Sequence, residues 1–199
     1  MRISETKRSP IVPFRIACFE PEAPQRIAEQ IAVGLQELGY YGSKPAVVLC
    51  IGTDRSTGDS LGPLTGSLLS SYSTLKAEVR GTLEEPVHAS NLGEELDRLR
   101  DGVDRLVIAV DACLGQTTQV GTVCVGVGPL RPGAGVNKAL PSVGDLHLTG
   151  TVNVGGFMEY LVLQNTRLSL VVKMARVLAT SLAQVFGESV EAGKPRFVV

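Results

Sequence analysis

Apolar positions recur along this chain in two alternating rhythms. PQRIAEQIAVGLQEL places Ile27, Ile31, Leu35 and Leu38 at helical steps, and Gly39 suits the helix end. Lys44-Pro45 breaks the chain before AVVLCI (46–51), a short unalternated apolar run that reads as a strand buried on both faces. Leu61, Leu64, Leu68, Tyr72 and Leu75 then mark a helix with Pro63 in its first turn. RLVIAV (105–110) is a second buried strand, expected to end on Asp111, and the weakly alternating GTVCVGV (121–127) predicts a third.

Shorter signals fill the gaps. Ile11–Phe19 and Glu78–Thr82 read as short strands. Asn91 and Glu94 have the spacing of a capping box ahead of the stripe Leu92, Leu96 and Leu99. The pattern does not decide 144–154. Phe157–Gln164 and Leu168–Phe186 read as helices, the second with Leu168, Val171, Ala175, Leu178, Leu182 and Val185 at steps of three and four. Alternating strands and helices, with short apolar strands, predict a mostly parallel α/β domain, a three-layer α/β/α sandwich. One domain over 1–199 is expected, with 1–44 as an N-terminal extension carrying one helix.

Composition narrows the partners. Nineteen basic against twenty acidic residues leave a net charge of −1, so no global field recruits nucleic acid or an anionic membrane. The polar start MRISETKRSP has no signal-peptide character, and LSLVVKMARVLATSLAQVF carries Lys173 and Arg176, so neither export nor a membrane span is expected. Cys18, Cys50, Cys113 and Cys124 show no CxxC spacing and lie in or beside apolar segments, as reduced thiols of a cytoplasmic protein do. The 22 glycines cluster around 52–66, 121–135 and 144–156, where tight loops are expected.

Sites in open α/β sheets form beyond the carboxyl ends of the strands. Asp59, in CIGTDRSTGDSLGPL, follows the first good strand, and Asp111, in VIAVDACLG, follows the second. If those strands are neighbours, the two carboxylates share a cleft, and like charges close together raise one pKa. Asp59, ahead of a helix, is the better candidate base; Asp111, leaving an apolar strand, is the better carrier of a proton. A purely structural account stands beside this one, since aspartates also cap helices and form turns.

The pair GTDRSTGDSLGP and VIAVDACLG, followed by RPGAGVNK, resembles the YyaC-type sporulation proteins, relatives of the germination protease that degrades small acid-soluble spore proteins. The resemblance covers about residues 45–165. It implies a phosphorylase/hydrolase-like fold, shared more distantly with hydrogenase-maturation endopeptidases. It further implies an aspartic-type peptidase with Asp59 and Asp111 as its acidic pair, spore proteins as substrate and the sporulating cell as its setting. In the maturation endopeptidases a histidine completes a metal site. Here that position is Asn153, a poor transition-metal ligand, so no metal or other cofactor is expected.

Gly52, Gly58 and Gly62 are expected to shape the first loop, Gly133 and Gly135 a substrate wall, and Lys138 an oxyanion contact. Homo-oligomerisation stays open. GDSLG (58–62) invites an esterase with Ser60 as nucleophile, but the strand ends seven residues before Gly58 and His147 lies in the wrong context, so Ser60 is more simply a helix cap. Cys113 as nucleophile has no histidine placed beside it, and His88 is expected on a solvated loop. The glycines of the first loop lack the Gly-Lys-Ser/Thr of a phosphate loop. A non-catalytic binding protein on the same fold, or a metal-dependent endopeptidase, are the alternatives.

Overall fold

Gly39, in the left-handed region (φ +68°), ends the first helix, and the five residues after Pro45 are wholly buried, which fixes that strand in the interior of the sheet. The computed structural model describes residues 14–133 and 140–187. In chain order the elements are β1 (Phe14–Ala17), α1 (Ala23–Glu37), β2 (Ala46–Cys50), α2 (Leu61–Ser70), β3 (Ala77–Arg80), α3 (Leu92–Leu99), β4 (Leu106–Gly115), β5 (Thr122–Val127), β6 (Leu146–Val154), α4 (Glu159–Gln164) and α5 (Leu168–Phe186). A short 3₁₀ turn, Thr117–Gln119, joins β4 to β5.

The six strands lie in the order β1-β5-β6-β4-β2-β3. β3, β2, β4 and β6 are parallel, while β5 runs antiparallel to both β6 and β1. The sheet is mixed α/β and mostly parallel, with helices on both faces. One face packs Ile16, Val48, Cys50, Ile108, Val110, Leu146 and Leu148 under α1, α2 and α5. On the other, Leu49 and Ala109 meet Leu92 and Leu96 of α3, together with Val87, Leu130 and Val143.

α5 is long and apolar enough to cross a membrane by length and composition. Here its apolar stripe, including Val171, Met174, Leu178 and Leu182, is buried against the sheet and its neighbouring helices. The spacing of small residues sets how closely these layers approach. A side chain at Gly150 of β6 would meet Leu61 and Met174, so α2 and α5 rest directly on that strand.

Two local expectations are corrected, and one open stretch is decided. β4 runs four residues beyond Asp111, because β6 pairs with it through Gly115; Asp111 therefore sits inside a strand. Residues 146–154 form β6, a central strand. Asn91 makes no capping box: its Oδ1 accepts the His88 N–H at 2.7 Å, stabilising the turn before α3 instead.

Candidate active site

β2 and β4 are parallel neighbours paired from Ala46–Leu106 to Cys50–Val110, and the Ile51 N–H donates to the Val110 carbonyl. The chain leaving β2 thus starts its loop level with Asp111. That loop folds back tightly. Gly52 has a φ of +149°, and a side chain there would strike the Asp59 backbone carbonyl, which accepts the Thr53 N–H at 3.2 Å. At Gly62, in the first turn of α2, a side chain would run into the Ile51 backbone, so the helix start and the end of β2 touch. Gly58 donates its N–H to the Leu163 carbonyl at 2.8 Å, fastening the loop to the end of α4.

Burial pushes the Asp111 carboxyl up to about 8 against a hydrogen bond from the Ala112 N–H (2.8 Å), and the charge of Asp59, on the folded-back loop, adds a smaller push in the same direction. Asp111 is therefore mainly protonated at neutral pH, although its residue keeps some accessible surface. Asp59 is half-buried at the same rim. The arrangement pairs a proton-bearing carboxyl with a second carboxyl group of different environment, which is what acid–base chemistry on a neutral carbonyl requires.

Asn153 lies at the end of β6 and reaches the same rim. Its Nδ2 donates to the Val162 carbonyl (3.3 Å) and to Thr166 Oγ1 (3.2 Å), while its Oδ1 accepts the Val154 N–H (2.9 Å). Thr166 also sits where a side chain on Gly58 would fall. Asn153 thus locks α4 against the Asp59 loop, and its amide is spent on protein contacts. An amide engaged in this way is a poor ligand for a transition metal. Among the described residues no three His, Cys, Asp or Glu side chains gather in a metal-binding group.

Other candidates are placed elsewhere. Gly133 adopts a left-handed turn (φ +69°) beyond the Leu130–Val143 bridge. That turn leaves from the Val127–Leu146 end of the sheet, opposite the aspartates. Gly135 and Lys138 lie outside the described residues. Ser60 is buried and donates its hydroxyl to the Thr57 carbonyl at 2.7 Å; it makes no side-chain cap, which corrects that expectation. His147 Nδ1 pairs with the Gly128 carbonyl at 2.8 Å, at the far end of β6 from Ser60. His88 is half-buried, within 2.9 Å of Ser90 Oγ. Cys113 Sγ lies 3.5 Å from Thr151 Oγ1, and burial raises its thiol, so it is a weak nucleophile.

Sequence reasoning missed Thr166, which nothing marks before the fold brings α4 to the loop, and Ser56. Ser56 Oγ is buried without a hydrogen-bond partner among the described residues. It missed also the polar face of β5 and β6 beside Asp111. There the period-two alternation of Leu146-His-Leu-Thr-Gly-Thr-Val-Asn was the available signal.

Among relatives, a protein named "Uncharacterized protein YyaC" from Bacillus subtilis (strain 168) is 58% identical over 171 residues, covering 85% of this chain and 83% of its own. A solved [NiFe] hydrogenase maturation protease, HycI from Thermococcus kodakarensis, superposes with a TM-score of 0.46 at 19% identity, over 76% of this chain and 98% of its own. The model of a family described as "Protein of unknown function (DUF1256)" matches residues 15–181, and with the YyaC match it shows that this chain belongs to the DUF1256 family.

Proposed function

We propose that the Asp59–Asp111 pair hydrolyses peptide bonds. The observation that carries this reading is the Asp111 carboxyl, which burial keeps protonated to about pH 8 within reach of the charge of Asp59. Asp59 takes a proton from a water as its oxygen bonds to the substrate carbonyl carbon, and Asp111 gives its proton to the carbonyl oxygen. Collapse of that tetrahedral species returns the proton to Asp111, breaks the C–N bond and sends the amine off with the proton held on Asp59. No step needs another reactant. The proton bookkeeping belongs to the pair as a whole, since neighbouring carboxyls titrate together.

The resemblance to the germination protease makes small acid-soluble spore protein the first substrate to try and the cytoplasm of a sporulating cell the first setting. Purified protein is incubated with that substrate and the products are mapped by mass spectrometry. Discrete cleavage by the wild type, lost in both Asp59→Asn and Asp111→Asn and unaffected by EDTA, is the expected result. Equal cleavage by all three proteins removes the aspartate mechanism, and loss with EDTA replaces it by a metal-dependent one. Binding of the spore protein without cleavage by any of them leaves the non-catalytic alternative in its place.

A further inference from the structure

Residues paired directly across strands share a face of the sheet, so pairings can be followed from strand to strand. Asp111 pairs with Thr149, Thr149 with Cys124, and Cys124 with Arg15. One row therefore runs from the candidate site across β6 and β5 to the edge strand β1. The neighbouring row is Cys113, Thr151, Thr122 and Ala17. Both rows lie opposite the face that buries Val110, Leu148, Val123 and Ile16 under α1 and α5. The apolar cluster around α3 includes Ala109 of β4 but no residue of β1, β5 or β6.

Small hydroxyls and thiols therefore occupy a sheet face that, in an α/β fold, is ordinarily aliphatic beneath a helix. Thr149 and Cys113 are half-buried, Cys124 and Thr151 are buried, and Arg15 is exposed. Among the described residues Arg15 makes no hydrogen bond or ion pair, so its guanidinium has no carboxylate of its own. Its charge acts on both Cys113 and Cys124, which places the guanidinium along the row.

We propose that Arg15 is the carboxylate-binding end of a peptide subsite that begins at the Asp59–Asp111 pair and crosses β6 and β5. The ligand is an extended peptide bearing a Glu or Asp side chain. Two strand spacings, about 10 Å, separate Asp111 from a guanidinium lying over Cys124. An extended chain covers that in about three residues. The acidic side chain is thus held roughly three residues from the bond at the aspartates, clear of the charge on Asp59. The position of that bond rests on the hydrolase reading, whereas recognition of the acidic peptide does not.

The test uses the full chain and fluorescein-labelled short Ala/Ser peptides with one Glu moved through each position, each matched to its Gln counterpart. Anisotropy gives affinities at low and high salt, and mass spectrometry of the same mixtures reads cleavage. The wild type is expected to prefer the best-placed Glu peptide by about fivefold, the scale of one exposed ion pair, with the preference fading in high salt. Arg15→Gln removes the preference and Arg15→Lys keeps part of it, with far-UV circular dichroism verifying that each folds. Equal affinity for Glu and Gln peptides in the wild type, no binding at all, or a preference that survives Arg15→Gln overturns the subsite. So does a change in sedimentation on Arg15→Gln without a change in peptide affinity, which would make this face a contact between copies. Preference without cleavage retains the subsite and removes the hydrolase; cleavage without preference does the reverse.

Discussion

Replacing Asp111 by Asn tests the burial of this carboxyl without reference to any substrate. The substitution keeps the shape of the side chain and removes its titration. In the folded protein Asp111 ionises at about 8, against an ordinary value of 3.8. Above about pH 4 the unfolded chain has lost this proton while the folded chain keeps it, so stability falls as pH rises. The contribution is fully present below the unfolded value and is lost by the time pH passes the folded one. The interval is about four pH units, and at ~1.4 kcal/mol per unit the ceiling is ~6 kcal/mol. Partial access to water and local relaxation reduce this, leaving about 2–3 kcal/mol. Urea unfolding of both proteins, followed by circular dichroism between about pH 4.5 and about pH 9, gives the difference directly. Asp111→Asn should gain on the wild type by that amount across the range, levelling off above about pH 8. A separation that stays constant, or wild type gaining on the variant as pH rises, would show that Asp111 is held ionised and would refute the assignment of a proton-bearing carboxyl.

Three further outcomes follow from the same contacts. Gly62→Ala drives a methyl group into the Ile51 backbone and should cost about 2–4 kcal/mol in urea unfolding; no loss, or the gain that helix propensity gives Ala over Gly, would mean that α2 is not seated on the end of β2. Ser56→Ala removes a buried hydroxyl that has no partner among the described residues, and should be neutral or stabilising by up to about 1 kcal/mol in thermal melts, whereas a loss above that would reveal a hydrogen bond to this oxygen. Cys18 and Cys50 are buried with thiols pushed up to about 12, so iodoacetamide near pH 8 should modify half-buried Cys113 first and spare these two until denaturant is added; early labelling of Cys50 by peptide mass mapping would contradict its burial under α2.

The sequence by itself determined the elements whose signal is local. AVVLC and LVIAV are apolar throughout because β2 and β4 are covered on both faces, and α1 and α5 carry apolar stripes because one side of each lies on the sheet. Asp59 and Asp111 were legible as candidates because each follows such a strand. β6 was not legible. Its Thr and His positions lie on a face that carries no helix among the described residues, and Gly150 admits α2 and α5 closely on the other, so it lacks the continuous apolar run of β2 and β4. Only the tertiary structure decided that Asp111 lies within a strand, that Asn153 is spent on α4, and that Arg15 shares a row with Asp111. Each depends on which strands become neighbours and in what register, and these pairings join residues up to about a hundred positions apart, beyond the reach of any local pattern.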